Sequence, residues 1–186
     1  MAAVLGDAFA DYPATRWTVD RRDHRARVTG LQRLSLERLA LAFGEVWVAE
    51  ADGAIVSVAV WMDSRVEIPQ RVWWAMADEQ RALEGDRAAA SRAVDDLLDG
   101  LRPDTAHLYL GAVGTAAAWQ GRGLARRVLQ VLLAAADAAA IDVYLETSTI
   151  ANVVFYRSLA FEVIGEIEIP GGPTTWAMLR RPGATG

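Results

Sequence analysis

The sequence has no cysteine. This excludes disulfides, thiolate metal ligands and a cysteine nucleophile. Histidine is almost absent: His24 and His107 alone cannot build a typical zinc site, so no metal is expected. No apolar run is long enough to span a bilayer. The opening residues, Met1 to Asp7, lack the basic start and cleavage site of a secretory signal. A cytoplasmic, soluble protein without a membrane partner is therefore expected. A basic surplus is missing too. Lys and Arg number 19 against 24 Asp and Glu, a net charge of −5, so nucleic acid is not an expected partner. Repeats and domain linkers are also lacking, and the 186 residues read as one domain, 1–186, long enough to bury a core. What is abundant is apolar: 53% of residues are hydrophobic, and seven are tryptophan. That many tryptophans predict a large aromatic core, an aromatic pocket, or both.

The chain is organised around residues 107–140. An apolar strand, His107 to Val113, leads into a turn, Gly114 to Trp119. Gln120-Gly121-Arg122-Gly123-Leu124-Ala125 follows and runs into an Ala- and Leu-rich helix, Arg126 to about Ala140. Strand, glycine loop and helix place unpaired N–H groups at a helix start, where they and the helix dipole attract an anion. Gly121 and Gly123 allow close backbone approach. Arg122, Arg126 and Arg127 add positive charge. A phosphate-bearing ligand is the first expectation. A P-loop would end in Gly-Lys-Ser/Thr, but this loop ends in Gly-Leu-Ala. A dinucleotide fingerprint needs a third Gly or Ala three residues after the second Gly, but Arg126 stands there.

What remains is Gln-x-x-Gly-x-Ala at Gln120, Gly123 and Ala125. It resembles the coenzyme A pyrophosphate loop of the GNAT superfamily of N-acetyltransferases. The resemblance continues through a strand, Ile141 to Thr147, and through Asn152, Phe155-Tyr156 and Phe161. Ala160 departs from it, since the family has Gly at that helix end. Further segments are similar to the puromycin N-acetyltransferase group of the superfamily: Phe9 to Arg16, Val46 to Ala49, Leu145 to Ser148 and Pro170 to Trp176. This similarity runs from about Ala8 to Gly183 and is poor between Ser64 and Gly100. The resemblance implies an α/β fold with a mixed, mostly antiparallel sheet and helices on both faces. The front departs from it: the family starts with a strand before the first helix and this sequence begins at or inside that helix, so either the first edge strand is missing or the start lies upstream. It implies acetyl transfer from acetyl-CoA to the amine of an aminonucleoside antibiotic or a related small molecule. An unrelated amine, or a non-catalytic acyl-CoA-binding domain, are the competing readings. A homodimer is the assembly to test, because many relatives are dimers.

Along the chain, Pro13 breaks a first helix over residues 2–10. Asp20 is the expected N-cap of a long helix to about Phe43, with Val28, Leu31, Leu34, Leu39 and Leu41 as its buried stripe. Asp52-Gly53 joins a hairpin, Val46 to Glu50 and Ala54 to Trp61. Helices are expected near Val72 to Leu83 and Asp86 to Leu101. Phe161 to Ile169 and Thr174 to Arg180 alternate as two final strands across the turn Pro170 to Pro173.

The resemblance also implies roles. Val113, Gly114 and Thr115 would end a splayed strand and hold the pantetheine arm, with the Val113 N–H as oxyanion donor. Gln120, Gly121, Arg122, Gly123, Leu124, Ala125 and Arg126 would bind the pyrophosphate. Asn152 would bond the pantetheine or, alternatively, cap its helix; Phe155 lies beside it. Tyr156 is the candidate general acid, because a phenol with a pKa near 10 carries its proton at neutral pH. Glu146 is a candidate base, weighed against a purely hydrogen-bonding role. Tyr12, Trp61 and Trp73 or Trp74 are candidates to line the acceptor cleft, each weighed against core packing. No catalytic role is expected for His107.

Overall fold

The computed structural model describes residues 1–184. Helix α1 (Ala2–Phe9) is followed by α2 (Pro13–Thr18), which starts on a proline. Tyr12 is extended before that proline, φ −72° and ψ 135°, as the ring requires. Helix α3 (His24–Ser35) starts later than expected. Asp23 precedes it with φ +54° and makes no side-chain cap, while the Asp20 carboxylate accepts the Arg22 N–H at 2.8 Å. A π-helical turn, Leu36–Ala40, then adds a residue before the short α4 (Leu41–Phe43). This rotates the buried face. Val28, Leu34, Leu36 and Ala40 are buried, whereas Leu41 is 58% exposed.

The hairpin is β1 (Gly44–Ala51) and β2 (Ala54–Asp63). Asp52 and Gly53 both take positive φ, +51° and +74°, the geometry of the turn that matches strand twist. Helices α5 (Gln70–Glu84) and α6 (Ala88–Asp99) are joined by one tight turn, Gly85–Arg87. Strand β3 (His107–Thr115) runs two residues past its expected end, and α7 (Leu124–Ala138) starts two residues early. Then come β4 (Asp142–Thr147), α8 (Ile150–Arg157), β5 (Glu162–Glu168) and β6 (Thr174–Arg180). Helices α7 and α8 are both followed by an alanine at positive φ, Ala140 at +51° and Ala160 at +65°. Ile141 N–H donates to the Ala136 carbonyl at 3.1 Å, and Phe161 N–H to that of Tyr156 at 3.1 Å. These bonds hold a left-handed corner that glycine fills without strain.

Among the described residues the sheet has six strands in the order β1-β2-β3-β4-β6-β5. Only β3 and β4 are parallel; every other pairing is antiparallel. No strand precedes α1 among the described residues, so β1 is one edge. Alternation along the strands feeds two cores. One joins Ala59, Trp61, Leu110, Val143 and Leu145 to α7 and α8. The other joins Val58 and Val60 to Leu5, Leu36 and Ala40 on the opposite face. Helix α1 approaches β3 closely: a Cβ on Gly114 would stand 2.9 Å from Ala8 Cβ. No helix among the described residues is long and apolar enough to cross a membrane.

Candidate active site

The parallel pair β3–β4 is bonded only from His107/Asp142 to Tyr109/Tyr144. Beyond that the strands part, earlier than the expected splay at Val113. Ala116 N–H donates to the Val56 carbonyl at 2.8 Å, which sets the alternation on β3. Ala112 and Gly114 face β2, so Val113 and Thr115 turn their backbone groups into the gap. Gln120 Nε2 donates to the Thr115 carbonyl at 3.1 Å on that side. The gap is one wall of a cleft of about 590 Å³, an ordinary size for a ligand site.

The opposite parts of the cleft come from three elements. The loop before α7 contributes Gln120, Gly121 and Gly123, and the first turn of α7 contributes Leu124, Ala125 and Arg126. Gly121 and Gly123 both have φ +74°, and the space where a Cβ would sit is open. Helix bonding begins with Arg127 N–H to the Gly123 carbonyl at 3.1 Å. The amides of Leu124, Ala125 and Arg126 therefore have no carbonyl one turn back. Arg126 lies over the Phe155 ring at 5.7 Å and donates to the Ser158 carbonyl at 3.2 Å. Arg122 does not line the cleft. Its guanidinium covers Trp119 at 4.5 Å and donates to the Ala118 carbonyl at 3.2 Å.

Helix α8 supplies Asn152, Phe155 and Tyr156. Thr149, not Asn152, caps it: Thr149 Oγ1 accepts the Asn152 N–H at 3.2 Å. That frees the Asn152 side chain, whose Nδ2 donates to Thr147 Oγ1 at 3.0 Å. Tyr12 closes the cleft from the α1–α2 junction. Its hydroxyl lies 2.9 Å from Thr147 Oγ1 and accepts the Ser148 N–H. Buried Thr147 thus ties Tyr12 to Asn152. Tyr156 is 9% exposed. Burial, and in smaller part the neighbouring Tyr12, pushes its phenol well above the usual range. Ala8, Phe9, Trp119 and Thr149 also line the cleft and were not anticipated. Thr149-x-x-Asn152 had the spacing of a helix cap, the one local signal among them.

Residues 8–161 match the family model described as the acetyltransferase (GNAT) family. The chain belongs to the GNAT acetyltransferase family. Its fold is shared by solved structures. One is described as histone acetyltransferase HPA2 and related acetyltransferase from Corynebacterium glutamicum: 26% identity, 98% of this chain and 89% of that one, TM-score 0.72. Arylalkylamine N-acetyltransferase 2 from Aedes aegypti is 14% identical over 97% and 93% of the two chains, TM-score 0.64. Chaetomium thermophilum Naa20, solved with a bisubstrate analogue, is 16% identical over 95% and 81%, TM-score 0.51. GNAT enzymes take acetyl-CoA as co-substrate, and the cleft of this acetyltransferase fits it. The open glycine turn and three free amides suit a diphosphate; the strand gap beyond suits a thin amide-bearing arm.

The predicted acceptor aromatics of this GNAT chain fall in four different places. Tyr12 lies in the cleft, as above. Trp61 is corrected: it is 2% exposed, packed in the core under α7, and its Nε1 has no hydrogen-bond partner among the described residues. Strand alternation decides this, since Val60 and Met62, not Trp61, face the other side. Trp73 lines a second cavity, of about 550 Å³, between α3, α5 and β3, while Trp74 is 71% exposed. Glu146 lines neither cavity. Its Oε2 accepts the Tyr109 hydroxyl at 2.8 Å, its Oε1 the Tyr144 hydroxyl at 3.0 Å, and Arg102 Nε stands 3.7 Å away. Both oxygens are engaged, which is the arrangement of a hydrogen-bonding residue. His107 is buried, with its Nδ1–H donated to the Thr105 carbonyl at 2.8 Å.

Proposed function

We propose that this acetyltransferase moves the acetyl group of acetyl-CoA to the primary amine of a small molecule by direct attack in a ternary complex. An aminonucleoside of the puromycin type is the first acceptor to test, on the strength of the sequence segments similar to that group. The observation that carries the reading is the single cleft in which the amide-bearing start of α7 faces Asn152 and Tyr156.

Acetyl-CoA, when bound, supplies an acetyl group activated as a thioester. Gly121, Gly123, Leu124, Ala125 and Arg126 hold the diphosphate by backbone N–H groups. Val113 N–H, turned into the gap, donates to the acetyl oxygen. Asn152 orients the pantetheine arm, and Thr147 holds Asn152 and Tyr12 in register. Tyr156 keeps its proton at neutral pH because burial raises its pKa, and it donates that proton to the departing sulfur. Among the described residues, none lining the cleft carries a carboxylate or imidazole. The acceptor therefore enters as the free amine, or yields its proton to water, and positioning does most of the catalytic work.

The test is thiol release from acetyl-CoA against a panel of amines that includes puromycin. The chain contains no lysine, so its own side chains add no background acceptor. Turnover of puromycin, with puromycin resistance in cells expressing the protein, supports the aminonucleoside reading. Turnover of other amines alone removes it. Acetyl-CoA binding with no turnover on the whole panel rejects catalysis.

A further inference from the structure

The second cavity is left unused by the chemistry above. It shares β3 with the cleft: Gly111 and Ala112 line the cavity, and Val113 and Gly114 line the cleft. The β2–β3 register slips here, from Val60/Ala112 to Trp61/Leu110, leaving Gly111 as an unpaired bulge without a side chain. Leu39, Val66, Ile68, Trp73 and Met76 make much of the wall apolar.

Its charged groups are not equivalent. Asp63 is paired with Arg65 at 2.6 Å. Arg102 is held by Asp99 at 2.7 Å and Glu146 at 3.7 Å, and covers the Tyr109 ring at 5.5 Å. Glu84 is 4% exposed and lines the cavity. Two neutral donors, Gln80 Nε2 at 2.9 Å and Ser91 Oγ at 2.8 Å, both bond its Oε1. Among the described residues no cation stands within ion-pair distance of it. A buried carboxylate without a counter-charge is expensive unless something in the adjoining space completes it.

Resting on the acetyltransferase reading, we infer that this cavity is the acceptor pocket and that Glu84 selects apolar-bodied amines bearing a second positive charge. The carbon skeleton lies against the apolar wall. The second charge meets the free side of the Glu84 carboxylate. The reacting amine is delivered at the Gly111 bulge, next to Val113. Glu84 is a specificity residue, not a catalytic one.

The test compares hexamethylenediamine with hexylamine, which has the same carbon chain and one charge fewer. Wild-type enzyme is expected to favour the diamine in kcat/KM by about tenfold or more, the worth of one hydrogen bond to a charged group. Glu84→Gln should erase that preference by lowering kcat/KM for the diamine about tenfold more than for hexylamine, with acetyl-CoA affinity unchanged. Calorimetry without acetyl-CoA reads the site apart from activity: the diamine binds wild type and loses about tenfold in affinity in Glu84→Gln. Trp73→Ala, at the half-exposed rim, should weaken both amines equally. Equal use of both amines by wild type overturns the inference, as does a parallel loss of both in Glu84→Gln. Diamine binding by calorimetry without turnover of any amine would sink the acetyltransferase reading and leave the Glu84 site standing. Turnover without diamine preference does the reverse.

Discussion

The cleft and the second cavity lie on one strand and are built from different materials. The cleft presents backbone: amides of the α7 start, amides of the parted β3, and glycines that keep their surroundings open. The cavity presents side chains: an apolar wall from α3, α5 and the loop after β2, with a Glu84 carboxylate that has no ion-pair partner among the described residues. A backbone site can bind the same group in many sequences, provided the turn keeps its glycines. A side-chain site changes its ligand with each substitution. The contrast suits an enzyme that takes one donor and an acceptor peculiar to itself.

The contrast can be broken at several points. Tyr156→Phe should have the largest effect, lowering kcat by about a hundredfold or more while acetyl-CoA affinity stays put. Because burial holds the Tyr156 pKa above 10, the wild-type rate should show no loss of this acid between pH 7 and 9. Steady-state kinetics across that range checks both statements, and an unchanged kcat in the variant removes Tyr156 from the chemistry. Gly123→Val should weaken acetyl-CoA binding by about tenfold, through the left-handed strain of about 1–2 kcal/mol and a side chain set over the amides. The acceptor KM should not move; if it does, the two sites are not separable. Thr147→Val removes the shared partner of Tyr12 and Asn152. A loss of several-fold is expected in kcat/KM for both substrates, with recovery in Thr147→Ser. A loss confined to one substrate would show that Thr147 does not link the two walls. The smallest effect belongs outside both sites. Ala160→Gly should raise stability by about 1 kcal/mol, by relieving φ +65°, with kinetics unchanged. A urea titration measures it.

The two regions were also unequally legible. The glycine loop, the Asp52-Gly53 hairpin and the β5–β6 pair follow from short-range rules, and the structure places them within a residue or two. The cleft residues on α7 and α8 stood in contiguous motifs, so their grouping could be anticipated from Gln120 to Arg126 and from Asn152 to Tyr156. Arg122 escaped because its stacking on Trp119 competes with exposure to a ligand. The start of α3 escaped because Asp20 and Asp23 are chemically alike, and packing chose between them. Trp61 and Trp73 look equally available in the chain; the parity of β2 puts Trp61 in the core, and the packing of α5 puts Trp73 on a cavity rim.

Taken alone, the chain determined that a glycine turn follows a central strand and that an Asn–Phe–Tyr helix follows the next one. Those features are local, set by φ preference, periodicity and helix polarity. Tertiary structure decided where the strands part, that Thr147 bonds both Asn152 and Tyr12, the latter 135 residues away, and that Glu84 stands buried beside a cavity without a counter-charge among the described residues. Such facts depend on which distant side chains share one enclosed space, and no local rule of sequence encodes that.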